Sequence, residues 1–141
     1  GALSHLKDVS DKEVLVQNQS HVSLNNRLSE LEIEILALDY TELRILGALA
    51  AGQNVGPESS MLKTRGSELQ QVVAQLAMDI SGNYAVPLDQ STPAAGDNFQ
   101  PVGPASANGA SQEYFNTRKV SIYAGSNEIQ RNIMAKLVLG L

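Results

Sequence analysis

The strongest hydrophobic pattern in the chain runs from Ser20 to Ala51 and predicts one long helix. Apolar side chains recur there at spacings of three and four residues, which places them on one face of an α-helix. The first row is Leu24, Leu28, Leu31, Ile35 and Leu38, and a second row beside it is Ile33, Leu36, Tyr40, Leu43 and Leu46. A helix with two apolar rows is expected to have neighbours on most of its circumference.

A second helix is predicted from Pro57 onwards, after a short Gly-rich linker. Gly52 and Gly56 end the first helix, and Pro57 suits the first helical position because that position needs no amide hydrogen. The core row of the second helix is Leu62, Leu69, Val73, Leu76 and Ile80. Gly66 would permit close approach of another backbone, and Gly82 would supply a left-handed cap. The short linker predicts an antiparallel hairpin.

Residues 85–112 differ in kind from these helices. Four prolines lie there among Gly, Ala, Ser and Asn, with few large apolar residues. A structureless segment of this length is usually either functional or disordered. Two interpretations stay open: a mobile surface excursion, or a segment that wraps over another subunit or a missing domain with Phe99 and Val102 as anchors.

Regular structure is expected to resume at Tyr114. Residues 114–122 allow a short helix or an extended strip, and a turn follows at residues 124–127. The last helix is predicted over residues 127–139, with Gly140 closing it. Its expected buried residues are Ile129, Ile133, Met134 and Leu137.

The start of this last helix could contact a ligand. Gly125 lets the main chain come close to a planar or phosphate-bearing molecule. Ser126 or Asn127 can cap the helix and leave first-turn amides that face an anion or a carbonyl oxygen. Glu128 is equally explained as a residue that complements the helix dipole. These residues alone leave a ligand contact and an ordinary helix start both open.

Composition favours an all-α fold and excludes several classes of function. Aromatic residues make up 4% of the chain and Trp is absent, and such a core suits a helical bundle because strands favour β-branched and aromatic residues. The formal net charge of -5 argues against a nucleic-acid partner. The sequence has no cysteine, no membrane-spanning apolar run and no signal peptide, which together predict a cytoplasmic protein.

No metal site is predicted. His5 and His21 have no partners at the spacing of metal ligands. Asp8, Asp11 and Glu13 are interpreted as a solvated charge cluster.

The segment from Arg118 to Ile133 resembles the C-terminal ending of the acyl-CoA dehydrogenase family. The matching residues are Tyr123, Gly125, Ser126, Glu128, Ile129, Gln130 and Arg131. The resemblance implies an up-down helical bundle over residues 19–141, with the bundle's first helix missing and residues 1–18 as a connector or a frayed helix. It also implies an N-terminal helical domain and a middle β-domain that this sequence lacks.

The resemblance implies an FAD-dependent α,β-desaturation of an acyl-CoA thioester. In the family a glutamate removes the α-proton while the β-hydride passes to the flavin, and a backbone amide donates to the thioester oxygen. By resemblance that amide belongs to Ala124, whereas Gly125, Ser126 and Glu128 contact FAD and Tyr123 borders the acyl thioester. The implied partners are acyl-CoA, further copies of the chain in a dimer or tetramer, and an electron-transfer flavoprotein.

The chain departs from the family pattern at the catalytic glutamate. Many members carry that residue where this chain has Ala124, and a methyl group cannot accept a proton. Other members place the carboxylate on the preceding helix, where Glu13 is the nearby candidate and has no supporting context. The sequence therefore names no catalytic base.

Two interpretations follow from these absences. The chain is the C-terminal domain of a flavoenzyme, a fragment that is inactive alone and does not retain FAD; or it is a non-enzymatic helical oligomerisation or interaction domain that kept the family ending. If the chain stands alone, the two apolar rows of the first helix predict self-association, with one row buried against a second copy.

Overall fold

The computed structural model of the protein describes residues 18–54, 56–86, 103–104 and 107–140. Within these residues every regular element is helical, as the sequence predicts. The α-helices are α1 (Asn18–Ala50), α2 (Glu58–Ser81), α3 (Ala110–Thr117) and α4 (Asn127–Leu139). Short 3-10 helices, Gly82–Ala85 and Arg118–Ser121, continue α2 and α3. The central element is α2, which contacts each of the other three helices.

The first two helices form the predicted hairpin. Gly52 has a φ of 78° and its amide donates to the Leu49 carbonyl, so the chain reverses there. Pro57 precedes α2 with a φ of -63°, a value that its ring fixes and that a helix start requires. Ion pairs between Arg27 and Asp79 and between Arg65 and Glu34 show that the two helices run antiparallel.

The hairpin is held by an aliphatic core. Its buried members are Leu28, Leu31, Leu69, Leu76 and Ile80, with Leu24, Ile35, Leu38 and Val73 packed partly buried around them. These residues are the first apolar row of α1 and most of the predicted core row of α2. Gly66 meets the Leu38 side chain rather than a second backbone, since a β-carbon at Gly66 would lie 3.8 Å from Leu38 Cδ2.

The second apolar row of α1 is not covered by any part of the chain that the structure describes. Its residues are between 50% and 68% exposed: Ile33, Leu36, Tyr40, Leu43 and Leu46. The described residues of one chain therefore cover only one of the two apolar rows of α1. The physical reason is that α1 packs chiefly against α2, and one neighbour covers one face.

Helix α3 begins earlier than predicted. It starts at Ala110, four residues before Tyr114, so the end of the predicted 85–112 loop belongs to a helix. Gly109 precedes it with a φ of 82°, and the 3-10 helix Arg118–Ser121 continues it, which decides for helix over an extended strip. The proposed anchors Phe99 and Val102 lie outside the described residues, as does the connector expected before Asn18.

The bounds of α4 agree with the prediction, whereas three of its four expected buried residues are exposed and the fourth, Met134, is partly buried. The helix spans Asn127–Leu139, and Gly140 ends it with a φ of 71°. The apolar residues on its outer face are exposed to 52%, 38% and 65% of their surface: Ile129, Ile133 and Leu137. The face that packs on α2 begins instead with Asn127, which is 5% exposed. A polar contact therefore orients this helix.

Candidate functional site

The site predicted from the sequence lies on the turn between the 3-10 helix Arg118–Ser121 and α4. We call residues 123–126 the site turn. The amides of Ile122 and Tyr123 both donate to the Lys119 carbonyl, at 2.9 and 3.3 Å, and end the 3-10 helix. Ala124 and Gly125 follow with φ values of 55° and 85°. Two consecutive left-handed residues redirect the chain into α4.

Ala124 has an unusual backbone conformation. Among the described residues it is the only non-glycine residue with a positive φ. A β-carbon in the left-handed region costs roughly 1 kcal/mol, and such residues persist where the surrounding structure holds them. The residue is exposed, and its amide donates to no acceptor among the residues that the structure describes. The donor predicted for the thioester oxygen is therefore open to a ligand.

Of the two cap candidates that the sequence offers, Ser126 rather than Asn127 caps α4. Its hydroxyl accepts from the Ile129 amide at 3.5 Å, and its carbonyl accepts from the Gln130 amide at 3.0 Å. The extended backbone of Ser126, with a ψ of 158°, is the usual conformation of an N-cap residue. This cap fixes the direction of the helix start beside the site turn.

Glu128 is an exposed carboxylate held by the same cap. The pKa of Glu128 is held below its usual value, first by a hydrogen bond from the Ser126 hydroxyl and then by one from its own amide. Partial loss of hydration opposes these two hydrogen bonds, and the charges of Arg131 and Lys63 lower the pKa by smaller amounts. A negative charge therefore stands at the positive end of α4, where it also complements the helix dipole.

Gly125 and Tyr123, the remaining predicted site residues, differ in what lies beside them. Gly125 is approached by the Gln130 side chain, because a β-carbon on Gly125 would lie 2.6 Å from Gln130 Nε2. Tyr123 is 53% exposed, so it is not a core residue. Its side chain lines a largely apolar cleft of about 650 Å³ between α1, α2 and α3, whose walls include Leu38, Val73 and Val120.

The structure adds Lys63 and Ser67, which sequence reasoning missed, as hydrogen-bond partners of Asn127. Asn127 Oδ1 accepts from Lys63 Nζ at 2.8 Å and lies 3.1 Å from the Ser67 hydroxyl. Lys63 Nζ also donates to the Val120 carbonyl at 3.3 Å. One ammonium of α2 thus contacts both flanks of the site turn.

Gln71 extends the same row of α2. Its Nε2 lies 3.4 Å from the Thr117 and Arg118 carbonyls. Arg118 returns a hydrogen bond of 3.0 Å to the Gln71 carbonyl and lies over the Tyr114 ring at 4.3 Å from its centre. Lys63, Ser67 and Gln71 are four residues apart, so they share one helix face. That spacing is the signal that could have identified them.

The predicted motif residue Arg131 has a structural contact. It pairs with Glu68 at 2.7 Å, and Glu68 also pairs with Arg65 at 2.7 Å. Arg65 in turn reaches Glu34 of α1 at 2.9 Å. These partly exposed charges join α1, α2 and α4, and a network of several pairs holds geometry better than one isolated surface pair.

Several predictions fall outside this region. His5, Asp8, Asp11 and Glu13 lie outside the described residues. Over residues 18–54, 56–86, 103–104 and 107–140, no grouping of His, Asp and Glu could hold a metal ion. The helices in these same ranges are all too short or too polar to cross a bilayer.

Comparison with known proteins identifies the family. No curated protein and no solved structure matches the chain. The family model described as acyl-CoA dehydrogenase, C-terminal domain, matches residues 7–139. That match spans α1 to α4 and includes the site turn. The resemblance found in the terminal motif is thereby confirmed over most of the chain, which belongs to the acyl-CoA dehydrogenase family and carries its C-terminal domain.

Proposed function

We propose that this chain supplies flavin and thioester contacts to an FAD-dependent enzyme that desaturates an acyl-CoA thioester between its α and β carbons. The Ala124 amide is the observation that carries this proposal. It lies on an exposed turn, on a residue in the left-handed conformation, and has no acceptor among the described residues. An amide held in this way can donate to the thioester oxygen, on which negative charge develops as the α-proton leaves.

The neighbouring side chains suit a thioester. Tyr123 is half-exposed and stands immediately before the proposed donor. The Ala124 methyl group leaves room beside the amide but accepts no proton. In this proposal the turn therefore stabilises the developing oxyanion and orients the thioester, while the proton goes to a group elsewhere in the assembled enzyme.

The residues at the start of α4 fit a neutral part of FAD better than its phosphates. Gly125 exposes main chain, and Ser126 offers a hydroxyl lone pair beyond its cap bond. Glu128 already places a negative charge at this helix start, so a phosphate there would meet a like charge. Bound FAD would supply the acceptor for the hydride from the β-carbon. We accordingly expect Ser126 to contact the ring or the ribityl chain.

The test uses the protein expressed from its native reading frame. It should retain FAD, and octanoyl-CoA or one of a series of straight and branched thioesters should bleach the visible absorbance of the flavin. Ser126→Asn keeps an N-cap residue but removes the hydroxyl, and we expect about tenfold weaker FAD binding from a lost ligand hydrogen bond.

The matched control is Ser59→Ala, which removes an exposed serine hydroxyl that donates to the Gly56 carbonyl at the start of α2. FAD binding should be unchanged in this variant. A native protein that neither retains FAD nor is bleached by any thioester of the series would contradict the proposed function.

One observation favours a second function, a helical oligomerisation module. The exposed apolar row of α1 includes Ile33, Leu36, Tyr40 and Leu43, spaced so that they share one face. A large exposed apolar patch on a protein usually marks an interaction surface. The candidate partner is a second copy of the chain.

Sedimentation at micromolar concentration tests this alternative. The native protein should sediment as a dimer or a larger oligomer, and the double variant Leu36→Lys/Leu43→Lys should dissociate it because two ammonium groups would be buried unpaired. Val72→Lys places the same charge on an exposed apolar position of α2 and is the control. Oligomers that persist in the double variant, or a monomeric native protein, would exclude this surface.

A further inference from the structure

The contacts of Lys63 set it apart from the other charged residues of α2. Its ammonium is partly buried and donates to the Asn127 side chain at 2.8 Å and to the Val120 carbonyl at 3.3 Å. Asn127 is the first residue of α4, and Val120 lies in the 3-10 helix before the site turn. Lys63 therefore joins the two ends of the segment 121–126, which contains every residue predicted to meet a ligand except Glu128.

The bond to Asn127 is the stronger of the two. A hydrogen bond from an ammonium is about twice as strong as one between neutral groups, and 2.8 Å is its expected length. The Asn127 side chain is buried, at 5% exposure, so water does not compete freely for it. Ser67 lies 3.1 Å from the same oxygen, but its single proton is shared with the Thr64 carbonyl at 2.8 Å. Lys63 is thus the principal donor to Asn127.

The site turn needs such a restraint. Ala124 holds a left-handed φ of 55°, which a non-glycine residue adopts only against a cost. The turn itself is exposed, and the Ala124 amide makes no bond to a described residue that would fix its direction. Fixing both ends of a six-residue segment removes most of its alternative conformations. The direction of the Ala124 amide therefore depends on where Lys63 holds Val120 and Asn127.

We infer that Lys63 is a positioning residue of the reaction: it holds both flanks of the site turn so that the Ala124 amide points at the thioester oxygen. This inference rests on the proposed function. A misplacement of about 1 Å in a group that stabilises the transition state can cost about a hundredfold in rate.

The test compares Lys63→Met with Lys63→Arg in the native protein. Lys63→Met should slow flavin bleaching by saturating thioester about ten- to a hundredfold, with KM changed less than about threefold, since an oxyanion contact acts mainly in the transition state. Hydrogen exchange of the Tyr123 and Gln130 amides, which are bonded to Lys119 and Ser126, should become about tenfold faster. Lys63→Arg keeps the donors and should restore most of the rate.

The matched control is Arg27→Met, which removes the cation of an exposed ion pair between α1 and α2 away from the site turn. In this variant the rate of flavin bleaching and the exchange rates of the Tyr123 and Gln130 amides should stay within about twofold of the native values. If Lys63→Met does not fold, Asn127→Ala removes the main acceptor of Lys63 and should give the same losses.

The possible outcomes distinguish failure of the Lys63 inference from failure of the proposed function. Bleaching in the native protein together with an unchanged rate in Lys63→Met overturns the inference alone. An equal loss in Arg27→Met overturns it as well, because the effect would then be one of general stability. A native protein without bleaching overturns the proposed function and the inference with it, and exchange then reports whether Lys63 orders the turn at all.

Discussion

Helix α2 contacts α1 through one face and the C-terminal elements through the opposite face, and the two contacts differ in chemistry. Toward α1 it presents aliphatic side chains, among them Leu69, Leu76 and Ile80. Toward α3, the 3-10 helix Arg118–Ser121 and α4 it presents Lys63, Ser67 and Gln71 in hydrogen bonds. Apolar burial stabilises without direction, whereas hydrogen bonds require particular distances and angles.

The two faces of α2 therefore have different roles: one stabilises the fold, and the other orients the C-terminal elements. The aliphatic face should supply most of the free energy of the α1–α2 hairpin. The polar face should contribute less to stability, yet it decides how the site turn and α4 are oriented. Substitutions on the two faces should therefore affect different measurements.

The largest effect is expected on the aliphatic face. Leu76 is 1% exposed, and Leu76→Ala should lower the free energy of unfolding by about 3 kcal/mol through lost burial and a cavity. Urea denaturation measures this loss of unfolding free energy. Val72→Ala, at a position 45% exposed, should cost less than about 1 kcal/mol. Equal losses for the two variants would contradict the assignment of the core.

A smaller loss is expected on the polar face. Asn127→Leu keeps the size of the side chain but removes the acceptor of Lys63, and we expect about 2 kcal/mol from the partly buried donors left without it. Asn132→Leu, on an exposed position of α4, should lie within about 0.5 kcal/mol of the native protein. If Asn127→Leu were neutral in urea denaturation, the polar contact would not hold α4.

A gain of stability is expected within the site turn. Ala124→Gly should raise the free energy of unfolding by up to about 1 kcal/mol, because glycine adopts a φ of 55° without the steric cost. Ala135→Gly in the middle of α4 is the opposite control and should lower it by about 1 kcal/mol. A lower melting temperature for Ala124→Gly would show that the turn is not strained.

The smallest effect depends on pH. The pKa of Glu128 is lower in the folded chain than its ordinary value of 4.5, first through the Ser126 hydroxyl. The carboxylate therefore stabilises the fold above pH 4.5, and this contribution is lost as the pH falls through the lower folded pKa. Glu128→Gln should melt at a lower temperature than the native protein at neutral pH, and the difference should vanish in acid.

The cause of the lowered Glu128 pKa is checked by introducing Glu128→Gln into the Ser126→Ala variant. Without the serine hydroxyl, the effect of Glu128→Gln on the melting temperature at neutral pH should be smaller. A difference between native protein and Glu128→Gln that grows as the pH is lowered would contradict the sign of the pKa shift.

Sequence periodicity was sufficient to predict α1, α2 and α4 and the buried faces of the α1–α2 hairpin, but not α3. The start of α2 after Pro57, the bounds of α4 and the cap at Ser126 follow from local residue chemistry, which acts over one helical turn. The aliphatic row of α1 that ends at Leu38 predicts its buried face because burial follows spacing. The terminal motif was also sufficient to find the family, whose model matches residues 7–139.

Only the tertiary structure decided which apolar rows are covered and which polar residues hold the site. Periodicity predicted burial for Ile129 and Leu137 of α4, but their neighbours depend on contacts distant in sequence, and α2 meets the other face of that helix. Lys63 and Asn127 are 64 residues apart, so no local pattern links them. A hydrogen bond between residues so far apart in sequence forms only once the helices have packed, because packing sets the distance between its donor and its acceptor.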